Sequence, residues 1–116
     1  MQLVCALADV PVGEGVRITT VTPPIAVFRT EDDDVYAIDD TCTHQDASLA
    51  DGWLEDCWVE CPLHASRFDL RTGRVDQPPA KRPVRVHAAT VRDDGIWVEL
   101  SDEVPHLPPG VTFEAR

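Results

Sequence analysis

The sequence predicts an all-β protein, and three observations carry that expectation. Short runs rich in β-branched residues recur along the chain. Ten prolines are scattered between them, which suits a turn-rich strand architecture better than helices. No segment keeps a 3.6-residue apolar period over about three helical turns. Many short strands joined by regular turns point to an antiparallel β-sandwich or small barrel. At 116 residues the chain is the size of one domain, with 43% hydrophobic and 27% charged residues as in ordinary globular proteins.

The elements follow in order. Cys5 belongs to an apolar first strand, where a small core role is expected. Val16-Arg17-Ile18-Thr19-Thr20-Val21 combines β-branched residues with rough alternation and is broken by Pro23-Pro24. Ile25-Ala26-Val27-Phe28 and Val35-Tyr36-Ala37-Ile38 form two further strands, separated by the acidic turn Glu31-Asp32-Asp33-Asp34. Near the end, Val84-Arg85-Val86-His87 to Val91 and Ile96-Trp97-Val98-Glu99-Leu100 flank the hairpin signal Asp93-Asp94-Gly95. Residues 102–116 form a Pro-rich tail expected to lie over the surface or fray. Trp53, Trp58 and Trp97 are assigned to the core. His87 and His106 are expected to be structural or solvated.

Charge restricts the partners. Lys and Arg total 10 against 21 acids, a net charge of −11. Residues 1–60 hold 13 acids and only Arg17 and Arg29, whereas residues 61–116 balance 8 acids with 8 bases. Nucleic acid and anionic membrane surfaces require a basic footprint, so neither is expected as a partner. A docking partner with a basic face remains compatible. The start, MQLVCALADVPVGEG, has no basic n-region and no long apolar run, so no secretory signal is expected. Nothing approaches the roughly 20 apolar residues of a membrane span. In such a cytoplasmic setting the four cysteines favour metal binding or free thiols over disulfides.

Residues 40–70 read DTCTHQDASLADGWLEDCWVECPLHASRFDL. Cys42-Thr43-His44 and Cys61-Pro62-Leu63-His64 each pair a thiol with an imidazole, and sixteen residues separate His44 from Cys61. A zinc site with two Cys and two His competes, but common zinc fingers put both Cys together and both His on a helix. Here each loop offers one of each, in a strand context. A dinuclear [2Fe–2S] cluster pinched between two loops suits this pattern better, with the two Cys on one iron and the two His on the other. Cys57, four residues before Cys61, is surplus to that set. Asp46 reads as a docking or loop-capping residue. Arg67, Arg71 and Arg74 read as cluster-rim or ordinary ion-pairing residues.

The paired motif resembles the Rieske iron–sulfur family. Thr43 between the first ligands, Pro62 after the second Cys, Phe68-Asp69 and Thr72-Gly73 resemble it too, and Gln77-Pro78-Pro79-Ala80 is similar to the family's proline loop. The likeness runs over roughly residues 2–100. It resembles most the small ferredoxins of bacterial aromatic-ring-hydroxylating dioxygenase systems. Respiratory members carry an extra disulfide-bonded Cys in each loop, where this chain has Ala47 and Leu63.

The resemblance implies a Rieske fold: a base of antiparallel strands, residues 1–116 as one domain, and an inserted cluster-binding subdomain at about 41–81. It implies Cys42, His44, Cys61 and His64 as ligands of a Rieske-type [2Fe–2S] cluster, with Ser66, Gln45 and Pro78 as supporting residues. It implies a cytoplasmic one-electron carrier with no catalytic residues of its own. Electrons would come from an NAD(P)H-dependent flavin reductase and go to a terminal oxygenase acting on biphenyl-, naphthalene- or carbazole-type rings. A nitrite reductase small subunit, another oxygenase's ferredoxin and a zinc-stabilised binding module are the alternatives. With two thiolates and neutral imidazoles the oxidised site is near neutral. That places Rieske potentials at about −150 to +300 mV, against about −400 mV for plant-type clusters. Lack of the disulfide and Phe68 in place of Tyr point to the low end, and a Ser66 hydroxyl on a cluster sulfur would act in the other direction.

Overall fold

The structure is a computed structural model that describes residues 1–63, 66–78 and 80–112. Among these, the strands are β1 (Gln2–Ala6), β2 (Glu14–Ile18), β3 (Ile25–Arg29), β4 (Val35–Asp39), β5 (Trp53–Glu55), β6 (Trp58–Glu60), β7 (Arg67–Asp69), β8 (Val86–Arg92) and β9 (Gly95–Glu99). They form a six-stranded sheet in the order β1-β9-β8-β4-β3-β2 and a three-stranded sheet β5-β6-β7, with antiparallel pairing throughout.

Strand β3 explains how the two sheets share one interior. Ile25, Ala26, Val27 and Phe28 are all fully buried, as a continuous apolar run with both faces covered should be. Successive side chains point to opposite faces. Ile25 and Val27 enter a core with Ile18, Ala37, Ile96 and Val98. Those residues come from both ends of the six-stranded order, so the large sheet curls round on itself. Ala26 and Phe28 enter a second core with Ile38, Leu49, Val59, Phe68, Leu70 and Val84. This core joins the large sheet to the small one. Gly15 stands opposite Phe28 in the β2–β3 register, and a Cβ there would overlap the Phe28 ring.

The turns obey local backbone rules. Asp93 and Asp94 both take left-handed backbone (φ 53° and 61°) between the closing pair Arg92 and Gly95. Positive φ at both central residues matches strand twist in a two-residue hairpin. Asp56 (φ 53°) opens the similar β5–β6 connection. Gly73 sits at φ 79°, where a Cβ would collide with the Val84 carbonyl.

Several expectations need correction. The run from Val16 leaves the sheet at Ile18, although Val21 still packs in the core. The β8 ladder starts at Val86 rather than Val84. The tryptophans are not core residues. In β5–β7, Leu54, Val59 and Phe68 share the inner face, so period-2 alternation sends Trp53 and Trp58 outward. Trp53 is 62% exposed, and Trp58 lies under the Arg67 guanidinium, 5.3 Å from its ring centre. Trp97 is half-buried beneath Arg92. Cys5 is also half-buried, at the edge of the first core.

Candidate metal centre

The first candidate loop leaves β4 through two buried aspartates. Asp39 lies at the β4–β8 seam, where its carboxylate accepts from Arg85 (2.9 and 3.1 Å) and from the Nε2–H of His87 (2.9 Å). The opposite His87 nitrogen, Nδ1, accepts the Ser101 N–H at 2.9 Å. These two bonds define a neutral ring protonated at Nε2. Burial raises the Asp39 pKa, but the His87 and Arg85 hydrogen bonds and the Arg85 charge outweigh it, so the net shift is downward.

Asp40 is 1% exposed and anchors the loop itself. Its carboxylate accepts from the Ser48 hydroxyl (2.8 Å) and the Ala50 N–H (3.0 Å), and pairs with Arg17 at 3.0 Å. Here burial prevails over those partners and the net shift is upward. The loop is closed by Leu49 N–H to the Asp40 carbonyl (2.7 Å) and Cys42 N–H to the Ala47 carbonyl (3.0 Å).

The second loop joins β6 to β7 and is closed by Cys61 N–H donating to the Ser66 carbonyl at 2.8 Å. Val59 and Phe68, paired across the strands below it, press its base into the shared core. Ser66 is fully buried, and its hydroxyl oxygen accepts the Ala80 N–H at 2.9 Å. That bond ties the loop to the segment after Gln77 and Pro78, which are both exposed.

The loops bring Cys42 (1% exposed) and Cys61 (0%) together, thiol to thiol. The Cys42 thiol is pushed far up, first by its hydrogen bond with Cys61 and then by burial. Backbone N–H groups of His44 and Gln45 act in the opposite direction by donating to its sulfur. His44, two residues on, is exposed at the rim. Thr43 between them donates its hydroxyl to the Arg82 carbonyl at 2.7 Å. His64 and Pro79 lie outside the described residues. Among those described, no three His, Cys, Asp or Glu side chains are gathered closely enough to hold a metal ion; the facing thiols are the centre of what is assembled.

The remaining candidates are accounted for elsewhere. Cys57 bonds Tyr36 through its side chain. Arg67 pairs with Asp76, and Arg71 with Asp69. The acids of the first 60 residues that lie near the first loop in sequence divide into two groups. Glu31–Asp34, Asp51, Glu55 and Asp56 are exposed, but Asp39 and Asp40 are internal ion-pair members and present no charge to a partner. The structural importance of Asp40 and Arg82 was not visible in the sequence, because their partners Arg17 and Thr43 are remote in the chain.

The donor set suits an iron–sulfur group. Two buried thiols face each other from separate loops, N–H groups are already aimed at one sulfur, and an imidazole stands at the exposed rim. Thiols that ligate a metal must release their protons as it binds. Such a centre in a small all-β fold suits a thiolate- and imidazole-ligated metal or iron–sulfur group. The Rieske [2Fe-2S] domain family matches residues 1–90, and the chain belongs to that family, whose cofactor is a Rieske-type [2Fe–2S] cluster.

A 3-phenylpropionate/cinnamic acid dioxygenase ferredoxin subunit from Photorhabdus laumondii is 42% identical over 101 residues, covering 86% of this chain and 94% of the relative. The ferredoxin of Sphingomonas yanoikuyae B1 superposes with a TM-score of 0.78 at 31% identity, over 87% of this chain and 98% of that one. A solved complex of reduced oxygenase and oxidised ferredoxin in carbazole 1,9a-dioxygenase contains a chain matching at TM-score 0.76 and 37% identity, over 84% of this chain and 99% of that one. No helix among the described residues is long and apolar enough to cross a membrane.

Proposed function

We propose that the chain is a cytoplasmic one-electron carrier of an aromatic-ring dioxygenase system. It takes electrons from an NAD(P)H-dependent flavin reductase and passes them to a terminal oxygenase acting on rings of the phenylpropionate, biphenyl, naphthalene or carbazole kind. The observation that carries this reading is the buried Cys42–Cys61 thiol pair beneath an exposed His44.

Cys42 and Cys61 would hold one iron as thiolates, and His44 and His64 would hold the other through their imidazoles, within a unit of about residues 41–81. When bound, the [2Fe–2S] group supplies one-electron oxidation and reduction. The His44 and Gln45 N–H groups stabilise sulfur charge on the Cys42 side. The Ser66 hydroxyl oxygen accepts the Ala80 N–H and so keeps its own proton free for donation, which would be available to a sulfur of the bound group. Cys42 and Cys61 sit where water is excluded, while the His44 edge is open to a partner. Leu63, 58% exposed in the second loop, adds an apolar contact there.

Reconstitution with reductase, NADH, terminal oxygenase and ring substrate tests the assignment. Product should form only when the cluster-loaded chain is present and should scale with its concentration. Equal turnover without the chain would overturn it.

A further inference from the structure

The family match stops at residue 90, yet the chain beyond it returns to the candidate site. Arg85 donates to the Ser101 and Glu103 carbonyls at 3.2 and 2.9 Å. His106 Nδ1–H donates to the Pro83 carbonyl at 3.0 Å, and the Arg82 guanidinium donates to the Leu107 carbonyl at 3.1 Å. Pro108 is buried, and a turn closed by Val111 N–H to the Pro108 carbonyl (3.2 Å) puts Gly110 in left-handed backbone (φ 81°). The segment ends up against the first loop. Pro109 lines a shallow groove of about 350 Å³ with Thr43, His44, Lys81 and Arg82.

Arg82 is the joint of this arrangement. Its carbonyl receives the Thr43 hydroxyl from the loop of Cys42 and His44, and its side chain holds the tail. Lys81 and Arg82 are both exposed, and neither makes an ion pair among the described residues. Adjacent cations beside His44 without an ion-pair partner among the described residues stand out in a chain of net charge −11. They suit carboxylates on an incoming surface.

We propose that the groove between His44 and the C-terminal segment is the docking site for an acidic patch of the terminal oxygenase, with Lys81 and Arg82 recognising its carboxylates and Pro109 forming one wall. The inference rests on the reading of the chain as a carrier to an oxygenase. It places the recognition charge on the basic side of the rim rather than on the acidic flank.

The test uses the full, cluster-loaded chain and measures its binding to the oxygenase components of the 3-phenylpropionate and carbazole systems at several salt concentrations. Lys81→Glu and Pro109→Glu should each weaken binding about tenfold at low salt, an effect that fades as salt rises. Pro109→Lys should tighten it. Opposite signs at one exposed position exclude a simple loss of folding. The visible spectrum and reduction by the reductase should not change. Unchanged oxygenase binding in the Glu variants, or weakening with the reductase alone, overturns the docking site and leaves the carrier reading intact. A wild-type chain that binds neither oxygenase overturns both.

Discussion

The two loops that meet at the thiol pair are held by different physics. The first hangs from β4 on a buried charge: the Asp40 carboxylate gathers Ser48, Ala50 and Arg17, and Thr43 reaches across to Arg82. The second is a short connection on an apolar base, formed by Val59 and Phe68, with a polar tie from the Ala80 N–H to the Ser66 hydroxyl. A loop positioned by a buried carboxylate depends on protonation and on distant residues. A loop positioned by a β ladder depends on packing. The centre between them therefore has one electrostatically set side and one sterically set side.

At the centre itself the difference should vanish. Cys42→Ser and Cys61→Ser should each remove iron, sulfide and visible absorbance, because a thiolate is lost from either side; retention of the full cluster in one variant would remove that residue from the ligand set. Further out, the loops should separate. Asp40→Ala orphans the partly buried N–H of Ala50 and unpairs Arg17, and should cost about 2–3 kcal/mol in denaturant unfolding of the loaded protein. Ser66→Ala orphans the single Ala80 N–H and should cost about 1–2 kcal/mol. The same substitution should lower the reduction potential if the Ser66 proton meets a cluster sulfur. Equal losses from the two variants would erase the distinction between the loops.

Acid should act on the two aspartates in opposite directions. The lowered Asp39 pKa means that its contribution is present above the ordinary carboxylate value of about 3.9 and is lost as pH falls through the lower folded value. The raised Asp40 pKa means that the folded chain binds that proton more tightly than the unfolded one. Its penalty grows as pH rises through and above the ordinary value and is relieved by acid. Asp39→Asn should flatten the acid-side fall in stability measured by unfolding across pH, and Asp40→Asn should steepen it. The smallest expected effect is at Trp53: exposed on the small sheet, its replacement by Ala should change stability by no more than about 0.5 kcal/mol.

Local signals were legible and remote ones were not. β3, β4 and β9 were readable because β-branched runs between turn residues mark strands directly. Cys42, His44, Cys61 and His64 stood out because their spacing lies within two short loops. β5–β7 were missed. Each is three residues long, and the turn at Asp56-Cys57 has neither Gly nor Pro. The tryptophans were misplaced because hydrophobicity was weighed without register, and register decides which side of Leu54, Val59 and Phe68 they occupy. The internal ion pairs of Asp39 and Asp40 cannot be read locally, because their cations, Arg85 and Arg17, are far away in the chain. The tail's place beside the groove that His44 lines depends on Arg82 and has no sequence signature.

Thiolates on one iron and imidazoles on the other is the proposed division of ligands between the two loops. Pulsed EPR of the reduced, cluster-loaded chain tests it directly, by counting the nitrogens coupled to the paramagnetic centre. Two histidine nitrogens should couple in the wild type, and the pattern should be lost in His44→Ala. Coupling to no nitrogen, or a pattern unchanged in His44→Ala, would contradict it.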